Sequence, residues 1–355
     1  MTSPRVALVA ASMDILGGQG VQADTLIQEM RRDGVDARLI PINPRFPKPL
    51  QKLRQVRYAR TVLNQALYLT RLTALRNVDV VHVFSASYWS FLLAPMPAIM
   101  AAKLLGKRVI LNYHSGEAED HLANWGNRVH PWLKLVDSIV VPSEYLREVF
   151  AEYGYDAVII PNVLDLSRFA FCERRELQLN FISNRNFETH YQVDNTLRAF
   201  ALIRERHSSA KLVVAGVGSL EAELKQLAVD LGLDDVLFVG RVEPEVMQDL
   251  LAQHDFFLNS STIDNQPISV LEAFACGLAV ISTPTGDLAN MVRDGQTGVV
   301  IEPYKPVQMA DAVDRLLQAG EVGVAMRRRA HEETSAYQWP NVRAAWVKVY
   351  SGDDR

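Results

Sequence analysis

At 355 residues, 48% hydrophobic and 22% charged, the chain holds more material than one hydrophobic core usually serves and lacks the bias of a disordered sequence. Its formal net charge of −4 gives no global pull toward nucleic acid. The two cysteines, Cys172 and Cys276, stand far apart with no CxxC or Cys/His spacing, which excludes a disulfide scaffold or zinc module and suits a reducing cytoplasm.

The opening MTSPRVALVAAS has an apolar run too short for a signal segment. Short Val/Ile-rich runs then alternate with amphipathic stretches, the pattern of parallel βαβ units covered on both faces. Strands are expected at 6–11, 37–42, 78–84, 108–112, 138–141 and 157–160. Helices are expected over 21–33, closed by Gly34, and over 144–153, opened by Ser143 and closed by Gly154. The apolar stretch 88–105 is short for a bilayer span and carries Pro95 and Pro97, so it is read as a buried helix.

Residues 43–78 contain no acid but carry Arg45, Lys48, Lys52, Arg54, Arg57, Arg60, Arg71 and Arg76. Leu50, Leu53, Val56, Leu63, Leu67, Leu69 and Leu72 interleave with them. Three readings stay open: a basic amphipathic helix in peripheral contact with anionic lipid, a docking site for an anionic acceptor, or a solvated helix whose leucine stripe joins the core.

Residues 161–176, with Pro161 and the charged run Glu173-Arg174-Arg175-Glu176, read as a linker. Beyond it the alternation resumes, with strands expected at 179–183, 211–215, 236–239, 256–259, 279–282 and 299–301. Helices fill 194–206, 220–231, 244–253, 269–275 and 306–319, Pro244 suiting a first helical position. The expected class is α/β, two Rossmann-like doubly wound parallel-sheet domains in tandem.

Five segments carry candidate chemistry. Gly17, Gly18 and Gly20 lie between the first strand and its helix, where backbone can approach a ligand and a helix N-terminus can meet an anion. The spacing is not GxGxxG, and the second strand ends without the acid that would hold a ribose, which argues against a dinucleotide fold. His114 follows the strand at 108–112, where open α/β sheets place ligands, although a loop histidine without function fits too. Arg185 follows the first strand of the second half and could clamp a diphosphate. Gly216-Val217-Gly218 ends another strand, as either a turn or a close approach to a ligand. The segment Ser260 to Gly277 delivers Asp264 on a loop and Glu272 on a helix start, two carboxylates suited to sugar hydroxyls. Ser269-x-x-Glu272 is also a capping box, in which Glu272 would only close the helix.

Across nearly its whole length the sequence resembles glycosyltransferase family 4, the retaining enzymes of GT-B fold. The Gly17–Gly20 loop resembles the family's opening loop, and Ile160-Pro161-Asn162-Val163-Leu164-Asp165 resembles its hinge. Leu212–Leu224 and Val236–Val242 resemble two further family segments. Asp264 through Ile281 resembles its signature of two acids separated by seven residues, and Trp339 and Tyr350 resemble its returning tail.

The resemblance implies two domains facing across a cleft: 1–165 on the acceptor side, 166–335 binding the donor, and 336–355 as a helix returning to the first. It implies transfer of a sugar from a nucleoside diphosphate sugar to a hydroxyl acceptor with retained configuration. Glu272 would bind the ribose, Asp264 the donor sugar, and Arg185 the diphosphate, while His114 would face the sugar. Gly17 and Gly18 would approach phosphate and acceptor, and Gly216, Gly218, Val242, Ile268 and Ser269 would line the nucleotide-sugar site. No metal or other cofactor is called for. The acceptor would be a carbohydrate, a small molecule or a lipid-linked glycan of the cell envelope, met in the cytoplasm or at the inner membrane face. On this basis Arg185→Ala and Glu272→Ala should each nearly abolish transfer and spare the fold. Asp264 stands where the family usually has Glu, the usual Lys after Arg185 is missing with His190 as a substitute, and Thr285-Gly286-Asp287 replaces a Gly-Gly pair. The missing Lys and the shorter acid keep open a weakened nucleotide-sugar-binding protein; a nucleotide-sugar epimerase, which needs no separate acceptor, is a second alternative.

Overall fold

A computed structural model describes residues 4–14, 18–48 and 56–353. It divides into two compact units, Met1–Val163 with Trp339–Arg355, and Leu164–Gln338.

The first unit is built from β1 (Val6–Ala10), α1 (Gly18–Arg32), β2 (Ala37–Pro41), α2 (Arg57–Arg71), β3 (Val80–Ser85), α3 (Tyr88–Leu93), α4 (Pro95–Leu104), β4 (Arg108–Tyr113), α5 (Ala118–Leu133), β5 (Ser138–Val141), α6 (Glu144–Glu152) and β6 (Ala157–Ile159). Its six strands are parallel in the order β2-β1-β3-β4-β5-β6. Val6 stands between Ala37 and Val80 in register. Alternate residues point to opposite faces, so each strand feeds two cores. Val81, Val83, Val109 and Leu111 pack under α2 to α6, with Phe91, Ile99, Leu122 and Phe150. Val6, Leu8, Phe84 and Ile110 pack on the other side under α1 and the chain's last helix.

The second unit holds β7 (Asn180–Asn184), α7 (Val193–Arg206), β8 (Lys211–Ala215), α8 (Glu221–Asp230), β9 (Val236–Gly240), α9 (Pro244–Ala252), β10 (Phe256–Asn259), α10 (Ile268–Ala275), β11 (Ala279–Ser282), α11 (Leu288–Met291), β12 (Val299–Val300), α12 (Pro306–Leu317) and α13 (Gly320–Glu333). The sheet order is β12-β11-β10-β7-β8-β9, again parallel. Phe181, Leu212 and Phe256 face α7, α8 and α12, whereas Ile182, Phe257 and Val280 face α9, α10 and α11. Large side chains buried in this way each contribute about 1.5–3 kcal/mol of transfer energy, so both sheets are held mainly by their double cover. The last helix, α14 (Trp339–Ser351), returns to the first unit. Trp346 and Tyr350 enter its core, and Trp339 Nε1 donates to Asp33 at 2.8 Å.

Local signals account for several boundaries. Ser143 caps α6, its Oγ accepting from Leu146 N at 3.2 Å. Gly34 and Gly154 take φ of 80° and 76° where α1 and α6 stop, a region glycine enters without steric cost. The expected single helix over 88–105 is instead two helices. Pro95 opens α4 and offers no N–H to continue α3, and Ala94 turns out of helical geometry. That segment is also less buried than expected, since Trp89, Leu93, Met100 and Leu104 are exposed. Of the basic stretch, Lys52, Arg54, Leu50 and Leu53 lie outside the described residues. On α2 the leucine stripe is split: Leu63 and Leu67 are half-buried, whereas Leu69 is exposed. The expected linker is partly core as well. Arg174 is buried in the second unit, with Nε on Asp255 at 2.7 Å and Nη1 on the Cys276 carbonyl at 2.6 Å. No helix among the described residues is long and apolar enough to cross a membrane.

Candidate functional site

In the second unit the chain runs from β7 out through β8 and β9, then returns to place β10 on β7's other side. The carboxyl ends of β7 and β10 therefore flank a topological switch point, where open α/β sheets bind ligands. Arg185 leaves β7 there, and the loop from Ser260 to Pro267 leaves β10.

Arg185 is buried and fully engaged. Its Nε and Nη2 donate to Ser261 Oγ at 3.2 and 3.1 Å, and Nη1 donates to Ser269 Oγ at 2.9 Å. Nη2 also ion-pairs with the Asp264 carboxylate, and the guanidinium carbon lies 4.8 Å from the centre of the Tyr191 ring. Burial pushes the guanidinium down to about 10, so it remains a cation at neutral pH. Ser261 is fixed in turn by donating to Asn259 Oδ1 at 2.7 Å. Asn195, on the first turn of α7, keeps a buried amide nitrogen with no acceptor among the described residues.

Ser269 does not cap α10. The N-cap is Pro267, whose side chain has no polar atom, so that residue does not cap the first N–H groups of the helix or its positive dipole end. No bond joins Glu272 to the Ser269 N–H among the described residues, and the capping-box reading gives way. Glu272 stands one turn beyond Ser269 on the same side of α10. Burial pushes its carboxyl up to about 7, and the positive charge of Arg168 opposes that rise. The structure records no contact between Glu272 and Arg185.

The glycines close the site from behind. A Cβ on Gly216, at φ 147°, would stand 2.0 Å from the Arg185 carbonyl oxygen, and one on Gly218 would stand 2.4 Å from that of Phe187. Their place is thus taken by neighbouring chain, and their freedom lets two loops meet. Gly286, at φ 56°, approaches Asp264 in the same way. Thr285 beside it donates to the Ser261 carbonyl at 2.9 Å, so this loop braces the Asp264 loop. Val242 and Ile268 are half-buried against the core beneath α9 and α10.

In the first unit the switch point lies between β1 and β3. Gly18 begins α1 there and is exposed, while Gly17 lies outside the described residues. Gln19 Nε2 donates to the Ser85 carbonyl at 3.2 Å, and the His114 backbone N–H reaches the same oxygen at 3.3 Å. The His114 ring stacks on Phe84 with centroids 5.1 Å apart, and burial pushes its imidazole down to about 3, so it is neutral. It lines a small cavity with Gln22, Asn112, Asn162 and Trp346.

The structure thus gathers Arg185, Asp264 and Ser269 in one cluster, backed by Gly216. Ser261 and Tyr191 are members that sequence reasoning left unassigned. A hydroxyl just past a strand end was the available signal for Ser261; Tyr191 gave none beyond its closeness to Arg185 in sequence.

Comparison with known proteins agrees with this geometry. The model described as Glycosyltransferase Family 4 matches residues 16–168, and that described as Glycosyl transferases group 1 matches 173–333. Glycogen synthase of Mycobacterium tuberculosis is 27% identical over 290 residues, covering 77% of this chain and 68% of that one. The chain spans about half or less of the length of six further curated relatives. Among solved structures, sucrose-phosphate synthase from Thermosynechococcus elongatus superposes with a TM-score of 0.78 at 16% identity, over 98% of both chains. Anabaena Alr3699/HepE in complex with UDP and glucose gives 0.75 at 14%, over 98% of this chain and 99% of that one. Those two likenesses establish the fold, and the two models between them span both halves. The chain belongs to the family 4 glycosyltransferases of GT-B fold.

Proposed function

We propose that the chain moves a sugar from a nucleoside diphosphate sugar to a hydroxyl acceptor, carbohydrate, lipid-linked or small, with retention of anomeric configuration and without a resident cofactor. The observation that carries the reading is the buried Arg185 guanidinium at a sheet switch point, beside the uncapped end of α10. A departing diphosphate develops negative charge, and a preoriented guanidinium stabilises it most where water is excluded. Among the described residues Arg185 ion-pairs with one carboxylate, and a diphosphate would compete with Asp264 for the fork. Asp264, once displaced, would accept from sugar hydroxyls, and Glu272 would accept from the ribose. His114, as a neutral imidazole, would donate or accept a hydrogen bond without adding charge.

The test is a thermal-shift panel of UDP-, GDP-, ADP- and TDP-sugars, followed by assignment of the product's anomeric configuration. A uridine donor is the first choice, because the HepE neighbour holds UDP and glucose. Arg185→Ala is not the clean variant it first looked, because it strands the Asp264 carboxylate in a buried site at a cost of about 3–5 kcal/mol. Arg185→Lys keeps the charge and loses the fork. It should lower kcat by a factor on the order of 10²–10³ with donor binding largely kept. Wild-type turnover in Arg185→Lys, or an inverted product, would sink the reading.

A second reading, a nucleotide-sugar-binding protein with weakened turnover, is favoured by one observation. Arg185, the one guanidinium of the cluster among the described residues, is already paired with Asp264, with His190 where a second cation is usual. Tight donor binding with neither transfer nor slow donor hydrolysis would select it.

A further inference from the structure

We propose that the outward face of α2, α3 and α4 docks on an anionic lipid bilayer. Between Asn43 and Gly116 the sequence has a single acid, Asp79, against eleven lysines and arginines, of which Arg45 pairs with Asp14 and Lys103 with Asp137. Asp79 is itself ion-paired with Arg5 at 2.8 Å. Arg60, Arg71 and Arg76 are exposed and form no ion pair among the described residues.

The same face shows apolar side chains to water. On α2, Tyr58 is 80% and Val62 71% exposed, and Leu69 continues their stripe two turns on. On α3, Trp89 is 65% exposed with Leu93 one turn below it; on α4, Met100 and Leu104 repeat that spacing, Leu104 at 81%. Each helix turns its other side to the core through Tyr68, Phe91 and Ile99. The helices form one surface, since Gln65 Nε2 donates to the Leu93 carbonyl at 2.8 Å and Tyr68 OH to that of Ala94 at 2.7 Å. Lys107 Nζ ties the Arg76 carbonyl to the end of α4 at 3.2 Å. The face ends where α5 opens with Glu119 and Asp120.

Both halves of this chemistry decide the occupant. Uncompensated cations call for an anionic surface, and an outward row of Tyr, Trp, Val, Leu and Met calls for hydrocarbon beneath it. Anionic lipid offers both, whereas nucleic acid offers only the first. Exposed apolar side chains grouped in this way mark an interaction surface more often than a freely solvated one. The surface lies wholly within the first unit and does not depend on the donor reading.

The experiment is co-sedimentation of the full chain with phosphatidylcholine vesicles, with and without one third phosphatidylglycerol, in the absence of any donor. Binding is expected only to the anionic vesicles, and to weaken as salt rises. Arg60→Glu with Arg71→Glu should lower the partition constant at least tenfold, since each cation near the surface is worth about fivefold. Tyr58→Ser with Leu104→Ser should lower it at least tenfold with melting temperature unchanged, because both side chains are exposed. No binding to anionic vesicles would overturn the proposal. So would binding indifferent to Tyr58→Ser with Leu104→Ser, the behaviour of a merely polyanion-binding face. Self-association of the free chain abolished by those two substitutions would assign the surface to a second copy instead.

Discussion

Glu272 combines a carboxyl pushed up to about 7 by burial with a position one turn from the Arg185 cluster. Its folded value lies above the ordinary 4.5, so it adds stability that is full below about pH 4.5 and lost as pH rises through 7. At roughly 1.4 kcal/mol per pH unit between the two values, the loss is on the order of 3 kcal/mol. Glu272→Gln should therefore unfold at higher urea than the parent at pH 8 and at nearly the same urea at pH 4. A ribose held by this side chain is held better by the carboxylate, a stronger acceptor than the acid. Donor affinity should tighten several-fold from pH 6 to pH 8, and calorimetry should show a flat profile in Glu272→Gln. A flat profile in the parent chain would detach Glu272 from the donor. The residue scale is also where the sequence left most unsaid. It presented Asp264 and Glu272 as an acidic pair and Arg185 as a separate cation. The fold pairs Asp264 with Arg185 and leaves Glu272 apart. Spacing of seven residues across a loop and a helix start carries no information on which carboxylate reaches across to another strand.

The returning helix α14 is the element with the most specific anchor. Tyr350 OH and His82 Nδ1 share a buried hydrogen bond of 2.9 Å, inside a stack in which His82 lies 4.8 Å from Trp346 and 4.9 Å from Phe84. Tyr350→Phe keeps the packing and leaves the imidazole nitrogen without its partner, a loss of about 1–3 kcal/mol. Urea unfolding followed by tryptophan fluorescence should show it, and an unchanged midpoint would mean that packing alone holds the helix. The strands were legible to within a residue or two because buried parallel strands are runs of Val, Ile and Leu closed by turn residues. Several helices were not: α11 and α13 were not expected at all, nor was α5, nor the break between α3 and α4. α5 contains Gly126 and Pro131, poor helix residues, and is carried by the burial of Leu122, Val129 and Leu133 instead. The break between α3 and α4 follows from Pro95, yet composition alone made 88–105 one buried helix. An apolar helix on a covered face and one that leaves Trp89 and Leu104 in water have the same letters.

The two sheets have different strand orders, β2-β1-β3-β4-β5-β6 and β12-β11-β10-β7-β8-β9, although the sequence alternates identically in both. Strands buried on both faces name no neighbour, so the order, and with it the switch point that selects Arg185, emerges only when the helices choose sides. The units also differ in how many imidazoles burial pushes down: three in the first against His254 in the second, among the described residues. In the first, burial pushes His82 and His114 down to about 3 and His121 down to about 4, the nearby charge of Asp120 only partly opposing the last. Among tightly packed rings such as Tyr113, Phe91 and Trp125 around His121, the charged form has no adequate solvation. Values below the ordinary 6.5 mean full stability above pH 6.5, lost as pH falls toward 4, because the unfolded chain takes up three protons that the folded unit refuses. The slope reaches about 4 kcal/mol per pH unit for the three together, against a typical domain stability of about 5–15 kcal/mol. Amide hydrogen exchange, corrected for intrinsic rates, should therefore show protection in β1, β3 and β4 collapsing between pH 6.5 and 5, ahead of β7 and β10. His82→Phe should reduce the slope by about one proton. If the two sheets lost protection in parallel, or if His82→Phe left the slope alone, these imidazoles would not be the groups that set the acid limit of the fold.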